Sequence, residues 1–280
     1  MSRLAALLSA AVMLSGCSVS GALNAVSGSD EVDETLNLAY GPEARHRYDL
    51  YTPVDDANAP IVMFVHGGSW EDGSKDIYRF LGTALGEAGY AVAVINYRLS
   101  PEVRFPGFVE DAALAADHLL DDGRTVILMG HSAGAHIASL VAYDPRYMAA
   151  LGRSNCDVAG FIGLAGAYEF LPLARGRFAR IFPSEIVEQS QPVNFGRGPT
   201  PPSLLLHGLP DRTVHAEDTE LMANALRSAG NPVQAEFYEG VGHIEIVGAL
   251  SRYFRGRAPT YDDVTEWLDA RAAAGWPTGC

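Results

Sequence analysis

The sequence predicts an α/β domain: a mostly parallel, eight-stranded sheet with helices on both faces. Three observations predict it. Short apolar runs alternate with helical patterns through most of the chain, the order that parallel sheets require. At 280 residues the chain fits one such domain with a large core. Between the apolar run Thr125–Met129 and the alanine-rich run Ala135–Ala142 stand Gly130-His131-Ser132-Ala133-Gly134, a strand-to-helix turn with small residues at its corner.

The predicted strands are Leu36–Ala39, Arg47–Tyr51, Ile61–Val65, Ala91–Asn96, Thr125–Met129, Phe161–Leu164, Ser203–Leu206 and Gln234–Tyr238. The predicted helices are Ile77–Ala88, Gly107–Asp121, Ala133–Tyr143, Ala216–Ala229, Ile244–Tyr253 and Asp262–Ala273. No helix separates the first two strands, so they suit an antiparallel edge hairpin. Residues 168–200, rich in proline, glycine and arginine, break the rhythm. They read as an insertion above the strand ends, either lining a pocket or making a long surface connection.

Lys and Arg total 20 against 34 Asp and Glu, a formal charge of −14. That balance argues against nucleic acid or an anionic membrane face as partner. No Cys/His grouping has metal-ligand spacing, and no internal repeat is present. Oligomeric state is not legible.

Residues 1–16 carry Arg3 and then the uncharged apolar run Leu4–Leu14, too short to span a bilayer comfortably. The run ends in Leu14-Ser15-Gly16-Cys17, which resembles the lipobox of bacterial lipoproteins. That resemblance implies a signal peptide over 1–16, lipidation of Cys17, and contact with the membrane through the lipid anchor only. Ser18 follows, which implies outer-membrane sorting, facing the periplasm. Residues 17–34 then read as lipidated cysteine and flexible tether, and 35–280 as the folded domain. Two cysteines remain, Cys156 and Cys280. Either they pair in an oxidising envelope or they stay free thiols.

The chemistry starts at Ser132. Gly-x-Ser-x-Gly on a strand-to-helix turn is a nucleophile elbow, and the helix behind it directs N–H groups at a reacting oxygen. Upstream, strand Ile61–Val65 runs into His66-Gly67-Gly68-Ser69-Trp70, where glycines let backbone N–H groups face an oxyanion. An acid and then a histidine should follow in chain order. Asp211 lies in the turn after Ser203–Leu206, and His243 ends the glycine-bearing turn after Gln234–Tyr238. Asp218 is close to Asp211 but falls in a helical pattern and reads as a solvated helix residue.

The other histidines take plain readings. His131 braces the elbow and borders the pocket; His66 holds the oxyanion loop; His118 and His136 are structural. His207 braces the turn of Asp211, and His215 is solvated. Trp70 either walls the acyl pocket or fills core. Asp111 either braces the oxyanion loop or supplies a helix N-terminal charge.

Together, His66–Trp70, Tyr97-Arg98-Leu99, Gly130–His136, His207-Gly208 with Asp211, and Gly242-His243 resemble the α/β-hydrolase superfamily. The branch is that of carboxylesterases carrying His-Gly-Gly-x-Trp. It is similar to hormone-sensitive-lipase-like esterases, bacterial feruloyl esterases, kynurenine formamidases and prenylcysteine methylesterases. The resemblance covers roughly residues 36–275. It implies Ser132 as nucleophile, His243 as base and Asp211 as its orienter. The oxyanion donors would be the amides of Gly68, Ser69 and Ala133, with Gly67 shaping the loop. No cofactor or metal is implied; the expected substrate is a small or aromatic carboxylic ester, with arylformamide hydrolysis or a non-catalytic envelope lipoprotein as alternatives. Two positions depart from the pattern: Ser69 replaces a third glycine, and Ile244-Glu245 follow His243.

Overall fold

In the computed structural model, residue 24 and residues 27–171, 176–277 and 279–280 are described. The signal-peptide and Cys17 readings lie outside these residues, as do positions 172–175 of the insertion.

Eight strands pair into one sheet, apolar at its centre and mixed at its two edges. They are β1 (Val32–Ala39), β2 (Arg47–Pro53), β3 (Ile61–Val65), β4 (Ala91–Ile95), β5 (Val126–His131), β6 (Gly160–Leu164), β7 (Ser203–Gly208) and β8 (Val233–Tyr238). The order across the sheet is β1-β2-β4-β3-β5-β6-β7-β8. β1 and β2 form the expected antiparallel edge, β2 joins β4 antiparallel, and every other pair is parallel.

The helices are α1 (Arg79–Gly86), α2 (Gly107–Leu120), α3 (Ala133–Tyr143), α4 (Pro145–Ala149), α5 (Arg177–Ile181), α6 (Ala216–Ser228), α7 (Glu245–Gly248) and α8 (Thr260–Ala274). They cover both faces, and β3 shows why its sequence does not alternate in polarity. Ile61, Met63 and Val65 pack with Phe108 and Ala112 of α2 and Ile137 of α3. Val62 and Phe64 face the other way, onto Leu81 and Leu85 of α1 and Val264 and Leu268 of α8. Successive side chains point to opposite faces, so a strand covered twice must be apolar throughout. Helix α3 is buried at every position, which accounts for its small residues.

Three elements differ from the sequence reading. β1 begins at Val32, inside the stretch read as tether. Val32 is buried, and Glu34 pairs with Arg79 at 2.8 Å, so acidic residues there serve an edge strand. The helix expected over 244–253 contracts to Glu245–Gly248. Gly248 and Ser251 are weak helix formers, and Arg255–Arg257 closes as a 3-10 turn instead. In the insertion, to which the sequence reading assigned no elements, α5 and the 3-10 turns Val187–Ser190 and Pro192–Asn194 form.

Cys156 and Cys280 form a disulfide with their Cα atoms 5.1 Å apart, fixing the C-terminus beside the Asn155–Asp157 turn. Among the described residues, no helix is long and apolar enough to cross a membrane.

Candidate active site

Ser132 stands between β5 and α3 with φ 56° and ψ −124°, a left-handed conformation unusual for a residue with a Cβ. The fold holds it there by close approach. A Cβ on Gly134 would lie 2.0 Å from the Val65 carbonyl oxygen, so only glycine lets α3 start against the end of β3. The Ser132 amide donates to Leu164 O at 2.9 Å, fastening the corner to β6.

The side chains from three strand ends converge. Ser132 Oγ lies 2.9 Å from His243 Nε2, and His243 Nδ1 lies 2.6 Å from Asp211 Oδ2. Nδ1 therefore carries the proton that Asp211 accepts, leaving Nε2 to accept from the serine hydroxyl. The other Asp211 oxygen, Oδ1, accepts the amides of Thr213 at 2.8 Å and Val214 at 3.1 Å. Burial alone would raise the Asp211 pKa. Contacts with His207, His243 and the Thr213 amide overcome that and hold the carboxyl ionised, well below the usual range.

His207 does what its position suggested. Its Nε2 donates to Val214 O at 3.1 Å and lies 3.4 Å from Asp211 Oδ2, while Nδ1 accepts from the Thr219 hydroxyl at 2.7 Å. His131 does not border the cavity at Ser132 as expected; its Nε2 instead donates to the carbonyl oxygen of His243 at 2.8 Å. Burial and the neighbouring His243 push its pKa down to about 3, so it is neutral and unsuited to exchange protons.

The loop read as the oxyanion loop is built from strained backbone. Gly68 has φ 129°, and a Cβ there would sit 1.9 Å from Asp72 O. Ser69 and Trp70 follow with φ 53° and 62°. These angles turn the chain, and among the described residues the amides of Gly68, Ser69 and Ala133 (the last at the start of α3) meet no backbone acceptor. His66 Nδ1 donates to Gly67 O at 2.7 Å, and the Tyr97 hydroxyl donates to His66 O at 2.9 Å. Ser100 N adds a bond to Trp70 O at 2.8 Å.

Trp70 serves both roles left open for it. It is buried, and it lines the cavity at Ser132. Its indole Nε1 donates to His136 Nδ1 at 3.1 Å, and His136 Nε2 donates to Ser190 O at 2.7 Å. This relay ties the oxyanion loop to the insertion through a histidine that the sequence marked only as structural. Asp111 takes neither of its expected roles. It accepts the Arg98 amide at 2.8 Å and the Arg98 guanidinium, with His46 Nε2 3.0 Å away. It reaches the oxyanion loop only indirectly, by fixing the Tyr97–Ser100 stretch.

A cavity of about 570 Å³ opens on Ser132, Ser69 and Ala133. The insertion lines it with Phe170, Leu171 and Phe178, which decides its reading as a pocket wall. Asp218 lines it too, half-buried rather than solvated.

Residues 48–177 match the BD-FAE family model. The chain is 28% identical over 265 residues to the isoprenylcysteine alpha-carbonyl methylesterase of Arabidopsis thaliana, an alignment covering 84% of this chain and 62% of that protein. It is 26% identical over 240 residues to esterase LipC of Mycobacterium tuberculosis, covering 76% of this chain and 58% of that one. It thus spans less than two thirds of either relative. Among solved structures, esterase B from Lactobacillus rhamnosis superimposes with a TM-score of 0.77 at 22% identity, over 98% of this chain and 96% of that one. With this sheet order, this elbow and these likenesses, the chain has the α/β-hydrolase fold, and residues 48–177 are similar to the BD-FAE family.

Proposed function

We propose that the protein is a serine carboxylesterase acting through an acyl-enzyme, with Ser132, His243 and Asp211 as catalytic triad. One observation carries this reading: the unbroken hydrogen-bonded chain from Ser132 Oγ through His243 to Asp211, beside a loop with positive φ at Gly68, Ser69 and Trp70. The relatives named as esterases support it.

The chemistry follows from the geometry. As Ser132 Oγ attacks an ester carbonyl, His243 Nε2 takes its proton, and Asp211 stabilises the imidazolium while keeping the ring in place. Negative charge on the carbonyl oxygen meets the amides of Gly68, Ser69 and Ala133. Each such donor is worth about 3 kcal/mol in the transition state. His243 then protonates the departing alkoxide, and the same ring activates water to cleave the acyl-enzyme.

The test is a panel of p-nitrophenyl esters of increasing acyl length and aromaticity, with an arylformamide included. Turnover of the esters that falls at least about thousandfold in Ser132→Ala supports the reading. Turnover of the formamide alone moves the assignment to amide hydrolysis, and no turnover of any substrate overturns both.

We further propose export to the bacterial envelope with a lipid anchor at Cys17, toward the periplasmic face of the outer membrane. The apolar run before Cys17 supports this, and the Cys156–Cys280 disulfide suits an oxidising compartment. Incorporation of a labelled fatty acid, abolished by Cys17→Ser, is the expected result; an unlabelled wild-type protein would overturn it.

A further inference from the structure

We propose that Asp218, flanked by Glu217 and Glu169, makes one wall of the Ser132 cavity a receptor for a cationic group on the substrate. This rests on the esterase reading and names the substrate class: esters bearing an ammonium, preferred over their neutral isosteres.

The cavity has two unlike walls. Trp70, Phe170 and Phe178 form an aromatic wall, with Trp70 and Phe170 ring centroids 5.7 Å apart and Trp70 and Phe178 5.9 Å apart. The start of α6 forms the other wall with Glu217 and Asp218, and Glu169 joins it from the segment after β6. Among the described residues, no Lys or Arg lines the cavity. A half-buried carboxylate without a cation in reach is costly unless something neutralises it. A neutral polyol would offer hydrogen bonds and leave the charges standing; an ammonium removes the imbalance and can pack on the aromatic wall at the same time.

Among the described residues, several groups surround Asp218. His207 from β7 faces it, as do Glu169 and the backbone amides of Tyr168 and Glu169; His215 and Glu217 stand beside it at the start of α6. Burial pushes its pKa up to about 7, with Glu169 adding to the shift and His207 opposing it. The carboxyl is therefore half neutral near pH 7, and its attraction for a fixed positive charge grows as pH rises through that value.

The experiment measures kcat/KM for isosteric pairs on the full-length protein. One pair is choline and 3,3-dimethylbutyl 3-phenylpropionate, with the charge on the alcohol side. The other is the ethyl esters of 4-trimethylammoniobutanoic and 5,5-dimethylhexanoic acids, with the charge on the acyl side. The ratio within a pair cancels general damage and any pH dependence that both members share. The expected result is a preference of about tenfold for the cationic member of at least one pair, rising between pH 6 and 8. It should collapse to within about twofold in Asp218→Asn, and Glu217→Gln should lower it if the first variant folds poorly. Turnover of the neutral esters with no cationic preference overturns the cation receptor and leaves the esterase reading intact. A preference unchanged in both variants also overturns it. A glucose ester preferred over both pairs, in an Asp218-dependent way, replaces the cation by a polyol. Loss of all ester turnover defeats the esterase reading, and this one with it.

Discussion

The imidazole of His131 donates to the carbonyl oxygen of His243 at 2.8 Å, and the two rings lie 4.8 Å apart. The residue before the proposed nucleophile thus holds the loop that carries its base. Because burial keeps His131 neutral down to about pH 3, this anchor persists across any working pH. The elbow and the base are thus tied to one another as well as to the strands and to Asp211.

Removing that anchor should loosen the base without touching substrate. In His131→Phe, kcat is expected to fall by about ten- to hundredfold with KM changed little, since a displacement near 1 Å costs on that order. His131→Gln, which keeps an N–H donor, should recover part of the loss. Steady-state kinetics on both variants checks this; equal activity in wild type and His131→Phe would contradict it.

The corner itself tolerates no side chain. In Gly134→Ala the new Cβ would meet the Val65 carbonyl oxygen at 2.0 Å, backbone against backbone, so α3 must shift away from β3. A loss above about 3 kcal/mol is expected, seen as insoluble protein or a melting temperature lowered by several degrees. A variant with wild-type melting and ester turnover would show that the elbow can relax.

Acidification should destabilise the fold well above the carboxylate range. His66, His131 and His136 are buried, and burial lowers their pKa values to about 4, 3 and 4. Unfolding returns each to about 6.5. Below that value the unfolded chain binds more protons, so their contribution is complete above about pH 6.5 and is lost as pH falls toward the folded values. Each histidine costs on the order of 2 kcal/mol between pH 6.5 and 5. Asp211, with its pKa depressed, adds a second loss only below the carboxylate range. Urea midpoints should be lower at pH 5 than at pH 7, and His136→Gln should flatten that slope. A midpoint independent of pH over this interval contradicts the assignment.

The disulfide contributes to stability and not to chemistry. It closes a loop of 124 residues, which by chain entropy is worth up to about 5 kcal/mol. Cys156→Ser with Cys280→Ser should lower the melting temperature by about 10 °C while ester turnover at 25 °C is kept. An unchanged melting temperature would mean that the C-terminal tail is held by packing alone.

Much of this architecture was legible in the sequence because it rests on local signals. The central strands β3, β4 and β5 are short apolar runs, and the motifs carrying Ser132, Asp211 and His243 follow β5, β7 and β8. Legibility failed where distant packing decides. Asp218 looks solvated by helical periodicity, yet the segment after β6 folds against it and closes it into the cavity. The partner of His136 is the Trp70 indole, 66 positions away, and no spacing rule announces it. Asp111 was ambiguous because its ligand, Arg98, stands on a neighbouring strand end. Val32 reads as tether among acidic residues until β2 supplies a strand for it to join.

The central claim is that one hydroxyl, that of Ser132, is activated by His243 beside a ready oxyanion site. Peptide mapping by mass spectrometry after treatment with a fluorophosphonate tests it most directly. The account predicts a single phosphonyl adduct on Ser132, formed in step with loss of ester turnover and slowed at least hundredfold in His243→Ala. An adduct on another residue, or turnover that survives full modification of Ser132, would contradict it.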